Sequence, residues 1–279
     1  MKAFARILSN ISNKPIQTSP TSHKTLLSFG YLWEKIDTDS KLFILHPLPL
    51  LENNEQITHF ARYEIGTEFG VAWLLAHTLL SVFQPNGIDS ALTSKLNGML
   101  DKLDVGFLSS ESNLAEEELE KLKIFLNPSS FALVLGSELA QHPNAKDIAH
   151  ILGLLSKLTN IEIIMPELID SISPSQSVEA NLSLCEQLPE SNGNFIYIMP
   201  KHDYASTIDS PLLKAPPLFA PAFKLQDKTS IALGFESQQI LTQCQYDSSL
   251  KGTIALLYLP DVSNVNLGYP YKKVEVIYE

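Results

Sequence analysis

Seven histidines (His23, His46, His59, His77, His142, His150 and His202) and two cysteines (Cys185 and Cys244) are the side chains here with the widest chemical reach. Histidine can ligate a metal or carry a proton near neutral pH, and a thiolate can ligate or attack. Their spacing limits both uses. No His-Glu-x-x-His is present, and Pro143 directly after His142 argues against its sharing a helix face with His150. His77 falls in an apolar stretch and reads as a core or interface histidine, whereas His46-Pro47, closing an apolar run, is a loop histidine that could reach a crevice. The cysteines are far apart and no Cys-x-x-Cys occurs, so thiolates alone assemble neither an iron–sulfur cluster nor a structural zinc site. Two buried free thiols are expected, with a single disulfide as the alternative. Glu116-Glu117-Glu118 reads as a solvated helix start rather than a metal site. No catalytic, cofactor-binding or metal-ligating residue is assigned, and no cofactor is expected.

Glycines offer little more. Gly30 and Gly136 each follow an apolar run, where a nucleotide-binding loop would lie, but neither opens Gly-x-Gly-x-x-Gly and no phosphate-binding loop with its Lys is present. Ordinary strand-to-helix turns are the expected reading. Gly136-Ser137-Glu138 lacks the second glycine of a nucleophile elbow, so hydrolase chemistry has no anchor. Trp33 and Trp73 read as core or interface aromatics.

The elements that would position these residues follow from hydrophobic periodicity. Thr25–Gly30 and Lys41–His46 are short continuous apolar runs, as in strands buried on both faces of a parallel sheet. Tyr31–Ser40 between them has room for a two-turn helix. His59–Glu64 is a third strand. Glu68–Phe83 is apolar nearly all round and predicts a buried helix, with Thr67 at its cap and Pro85-Asn-Gly87 at its stop. A solvated helix from Ala115 ends at Asn127-Pro128. Phe131–Gly136, a helix from Pro143 to Leu158 and Ile161–Met165 form a right-handed βαβ unit. Asp170–Gly193 is Ser-rich and reads as a long surface connection, followed by a strand at Asn194–Met199. Four prolines in Ser210–Pro221 argue against helix and central strand alike, leaving an extended segment that either wraps its own domain or serves as a docking arm through Leu218 and Phe219. Ser230–Gly234, Thr253–Leu259 and Lys272–Tyr278 predict further strands. The expected class is therefore α/β: a flexible lead-in over 1–24, a domain of Rossmann-like parallel sheet blocks over 25–205, and a proline-rich linker with a small β-rich region over 206–279.

Composition excludes some partners. The net charge is −11 and the only arginines are Arg6 and Arg62. Nucleic acid and anionic membrane surfaces need clustered cations that this chain lacks. No apolar run reaches the roughly 20 residues of a membrane span, and the first residues do not form a signal peptide, so a reduced cytoplasmic setting is expected.

Three stretches are specific enough to compare with a known family. His59-Phe-Ala-Arg-Tyr-Glu-Ile-Gly-Thr-Glu68 running on to Ala76, then Leu103-Asp-Val-Gly-Phe-Leu-Ser-Ser110 to Asn113, then Leu133-Val-Leu-Gly-Ser-Glu-Leu-Ala-Gln-His-Pro143 to Ala149 resemble, in order, the G-type subunit of bacterial NADH-quinone oxidoreductase, respiratory complex I. The Ile65-Gly-Thr-Glu68 turn is similar to one found across the wider molybdopterin oxidoreductase superfamily, and Phe219–Thr229 resembles a further family segment, with Lys228 where the family has glycine. The resemblance covers only the later, molybdopterin-oxidoreductase-like part of that family's chain, and the family's cysteine-rich iron–sulfur domains have no counterpart here.

The resemblance implies an accessory, structural subunit without a redox centre, in the peripheral arm of a complex I, bound to other complex I subunits and through them to the inner membrane. An autonomous cofactor-binding oxidoreductase using the crevice at the strand carboxyl ends is the alternative, and a relic without a partner is a third reading. The purified protein is expected to be colourless and free of iron, flavin and molybdopterin, since two distant cysteines cannot ligate a cluster and no glycine fingerprint cradles a dinucleotide. Stoichiometric iron by elemental analysis would overturn that expectation.

Overall fold

The computed structural model describes the chain apart from residues 20–22, 52–53, 84–89, 127–130, 160, 200–207, 220–223, 261–267 and 278–279. The expected helix stops at Pro85-Asn-Gly87 and Asn127-Pro128, the domain boundary at 205, and His202 lie outside the described residues. Two compact units form, Met1–Ser191 and Asn192–Glu279. Among the described residues no helix is long and apolar enough to cross a membrane.

The first unit is built on a sheet of parallel strands, β1 (Thr25–Phe29), β2 (Lys41–Leu45), β3 (Ile57–Ala61), β4 (Phe131–Leu135) and β5 (Glu162–Ile164), in the order β3-β2-β1-β4-β5. The helices that accompany them among the described residues are α1 (Lys2–Ser12), α2 (Glu68–Val82), α3 (Ser90–Leu100), α4 (Val105–Ser112), α5 (Glu116–Phe125), α6 (Ser137–Gln141) and α7 (Ala145–Thr159). The pairing of β4 with β5 and the helix between them agree with the βαβ unit read from sequence.

The strand order dictates which face each connection covers. Steps from β1 to β2 to β3 run one way across the sheet and steps from β3 to β4 to β5 run the other, so right-handed crossovers send the two sets to opposite faces. The second set carries α2 to α7, whose apolar sides close on Leu27, Phe29, Phe43, Leu45, Leu133 and Leu135. The first set has only residues 30–40 and 46–56, and it covers Leu26, Leu42, Ile44, Val134 and Ile164 with Trp33, Tyr31, Ile36 and Leu51 instead. The two-turn helix expected over Tyr31–Ser40 is therefore absent: a strap lies flat on the sheet, and Trp33 fills the place of a helix while its indole N–H donates to Ser28 Oγ at 2.8 Å.

The lead-in over 1–24 opens with a helix. Lys2–Ser12 is helical and lays Phe4, Leu8 and Ile11 against α7, where Gly153 permits contact so close that an added Cβ would stand 3.1 Å from Ile11 Cβ. Past α1, Gln17 exchanges backbone hydrogen bonds with Ile163 and Met165, which covers the outer edge of β5.

The second unit contains β6 (Phe195–Ile198), β7 (Leu212–Ala215), β8 (Ser230–Phe235), β9 (Gln238–Tyr246), β10 (Ile254–Tyr258), β11 (Tyr271–Lys273) and β12 (Glu275–Ile277), in the order β11-β6-β10-β7-β9-β8-β12. β11 and β12 stand at opposite ends of that order, yet only Val274 separates them in the chain. One bent strand thus closes the sheet into a barrel. Ile196, Leu213, Ile231, Leu233, Cys244, Ala255, Leu257 and Val274 fill it.

Two expectations change here. β6 pairs with β10 in this unit rather than extending the first sheet, because the segment joining it to β5 carries no crossover helix, and the two compact units divide after Ser191. The proline-rich segment supplies β7 at the middle of the order, its prolines flanking the strand at Pro211, Pro216 and Pro217 rather than interrupting it. Leu213 and Phe219 are wholly buried, which returns the segment to the protein's own core and removes Phe219 from a docking role; Leu218 stays exposed.

Backbone approaches backbone closely at the carboxyl ends of β1 and β4, where a Cβ on Gly136 would lie 1.5 Å from the Gly30 carbonyl oxygen. Gly136→Ala is expected to cost ~3 kcal/mol or more, since backbone cannot yield as a side chain does. Gly98→Ala, in α3 with nothing within 4 Å, should instead gain up to ~1 kcal/mol. Equal effects in chemical denaturation would refute the close approach.

Candidate functional site

The parallel sheet delivers polar side chains just past the carboxyl ends of four strands: Tyr31 after β1, His46 after β2, Ser137 and Glu138 after β4, and Glu167 after β5. That edge is where open α/β sheets bind ligands, above all at the point where neighbouring strands send their connections to opposite faces. Here that point lies between β1 and β4.

His46 and Glu138 are 1% and 3% exposed, and their side chains meet across the end of β1. His46 Nδ1 accepts the Leu48 N–H at 3.0 Å, which leaves the ring proton on Nε2 to be donated to Glu138 Oε1 at 2.8 Å. A second pair repeats this wiring. His142 Nδ1 accepts the Asn144 N–H at 2.9 Å, and its Nε2 lies 3.1 Å from the Gly66 carbonyl and 3.2 Å from Glu68 Oε2, with His142 and Glu68 3% and 0% exposed. In both cases the sequence is His-Pro-x, with the ring accepting from the N–H of x. α6 therefore contributes a carboxylate to one pair and its capping histidine to the other.

Ser137 and Glu167 form a separate contact. The Ser137 hydroxyl and N–H both donate to the Glu167 carboxylate, at 2.5 and 2.6 Å. Burial raises the pKa of Glu167 above the ordinary carboxylate range, and the two Ser137 donors only partly offset that. Tyr31 is pushed up to about 12, first by burial and then by Glu167, Asp37 and Glu34. The serine hydroxyl thus faces a carboxylate and not a histidine, so no relay for nucleophilic attack is assembled.

Between β1 and β4, Leu139 reaches over Gly30, where an added Cβ would stand 2.9 Å from its Cδ2. On the strap side, the space lined by Tyr31, Trp33, His46 and Phe60 amounts to about 10 Å³, at the lower limit for one water. A larger cleft of about 720 Å³ lies on the strap side, lined by His23, Lys24, Tyr31, Trp33, Asp37 and Asp39 among others, and reaches neither His–Glu pair.

The remaining histidines are dispersed. His23 meets Glu162 at 3.1 Å; His59 pairs with Glu118, which also receives Lys121; His150 accepts the Asn181 N–H at 2.7 Å; and His77 is half-buried on α2. Glu116–Glu118 begins α5 as expected, with Glu118 drawn out of the solvated run to His59. Trp73 is wholly buried. Cys185 and Cys244 are free and buried, their thiols pushed up to about 11 chiefly by burial. Glu68 and Glu138 were not singled out from sequence. The local trace that could have led to them is the twice-occurring His-Pro dipeptide.

No protein-family model matches the chain, and no curated protein matches it.

Each buried pair is costly to leave half made. Glu138→Ala should destabilise the protein by ~3 kcal/mol or more because it strands a buried imidazole, whereas His46→Leu with Glu138→Met should lose clearly less than the two single changes together. Additive losses in a denaturation cycle would show that the two side chains do not depend on each other.

Proposed function

We propose that this chain is a structural accessory subunit of a complex I-like NADH-quinone oxidoreductase, similar to the molybdopterin-oxidoreductase-like part of the G-type subunit and without a redox centre of its own. What carries the reading is the meeting of two of the resembling segments. Ile65-Gly-Thr-Glu68 and the Leu133–Ala149 stretch lie far apart in the chain, and their Glu68 and His142 form a pair buried to 3% exposure or less. A resemblance by chance has no reason to converge on a single contact. The parallel sheet followed by a β-rich unit is compatible with the molybdopterin oxidoreductase type.

Leu139 over Gly30 and the buried His46–Glu138 bond favour a scaffold over the alternative of an autonomous cofactor-binding oxidoreductase. A nicotinamide or pterin at the strand carboxyl ends would have to displace Leu139 and break the His46–Glu138 bond. On the scaffold reading the chain works from the cytoplasmic face, held near the inner membrane by partner subunits.

Affinity capture of the tagged chain from membranes in mild detergent, followed by mass spectrometry, tests this directly. Complex I subunits should co-purify in near-stoichiometric amounts. Recovery of the chain alone, from membranes whose complex I is intact, would sink the proposal.

A further inference from the structure

Residues 170–191 cross the helical face of the first unit with no regular structure beyond an isolated bridge at Ile172. The hydrogen bonds that hold this strap come from the helices beneath it. Asn10 Oδ1, on α1, accepts the N–H of Ser175 at 2.9 Å. His150, on α7, accepts the N–H of Asn181 through Nδ1 at 2.7 Å. Asp147, also on α7, accepts from the Ser183 hydroxyl at 2.8 Å, and Trp73 of α2 donates its indole N–H to the Ser183 carbonyl at 3.1 Å. The stretch from Asn181 to Cys185 thus spans α2 and α7, with Cys185 packed into the core at 7% exposure.

Asn10 and Trp73 do not titrate in water, but His150 does. Its ring accepts only while neutral; once protonated, both nitrogens are donors and Nδ1 meets the Asn181 N–H head on. We propose that the Asn181–Cys185 stretch is a latch over α2 and α7 that protonation of His150 releases.

The charges acting on His150 are Lys146 and Asp147 of its own helix, and burial, ahead of both, lowers its pKa from 6.5. Of the neighbouring elements, the strap brings Glu179, held by Lys95, and Glu186; α2 brings Glu68, held by His142, and His77; α1 brings Lys2 and Arg6. The sign follows from linkage. With the docked value below the free one, docking is at full strength above about 6.5 and weakens as the pH falls toward the docked value.

Cys185 reports the latch. Its labelling by 4,4′-dithiodipyridine, followed by peptide mass spectrometry and corrected for the reagent's own pH dependence on an unfolded control, should rise between pH 7.5 and 5.5 by more than twofold. One-proton linkage from a free value near 6.5 caps the rise at about tenfold. Cys244, in the other unit, should not follow. His150→Asn, whose Oδ1 can occupy the acceptor position without titrating, should give a flat profile. A flat profile in the native protein, an equal rise in H150N, or a parallel rise at Cys244 overturns the proposal. If H150N fails to fold, the Asn181 amide of the native protein decides. Its protection factor in hydrogen exchange must fall over the same pH range, and a constant factor rejects the latch.

Discussion

Gly30 and Gly136 set the geometry on which the first unit depends. At the carboxyl ends of β1 and β4 the chain must turn to opposite faces of the sheet, and the two turns touch backbone to backbone, with Gly30 at φ +60 and Gly136 leaving no room for a Cβ. In open α/β sheets the same divergence leaves a gap that ligands enter. Here the two turns press together at their base. This brings α6 down over the end of β1, so that Leu139 covers Gly30 and Glu138 can reach His46 on the far side of β1. Everything α6 leads into inherits that position: α7, the α1 helix seated at Gly153, and the strap laid over both.

Placing two carboxylates and two imidazoles where exposure is 3% or less carries a desolvation cost that their hydrogen bonds offset only in part. Apolar groups of matched shape would serve net stability at least as well. What the polar pairs add is direction. α6 offers an acid to the histidine after β2 and a histidine to the acid that opens α2, so a helix turned or shifted by one residue would strand all four groups. Such a short helix has little propensity of its own to hold a position. The paired bonds supply one.

Much of the sheet is legible in the sequence because parallel strands buried on both faces must be continuously apolar. β1, β2, β4 and β5 all announce themselves in this way, and α7 does so by its stripe from Ile148 to Leu158. What stays hidden is whatever depends on a distant partner. α1 looks like a loose lead-in until Gly153 supplies its seat; Tyr31–Ser40 looks helical until the crossover rule sends it over a face it can only cross extended. β7 is masked by prolines that turn out to bracket it. Glu68 and Glu138 are indistinguishable from solvated helix starts, since each is buried by a histidine from another part of the chain. Only the repeated His-Pro, which fixes the imidazole tautomer through the next N–H, carries a local trace of them.

The same packing decides which sheet edges are covered. Strand addition needs an open sheet edge. The barrel has been closed by β11 and β12, and the outer edge of β5 is taken by Gln17. β3, at the other end of the parallel sheet, is short and partly exposed, with His59 drawn toward Glu118 of α5. The chain carries a net charge of −11, and its buried pairs, His46–Glu138 and His142–Glu68, bind α6 to the segment after β2 and to the start of α2 rather than facing solvent. The titratable interior is thereby given over to shape.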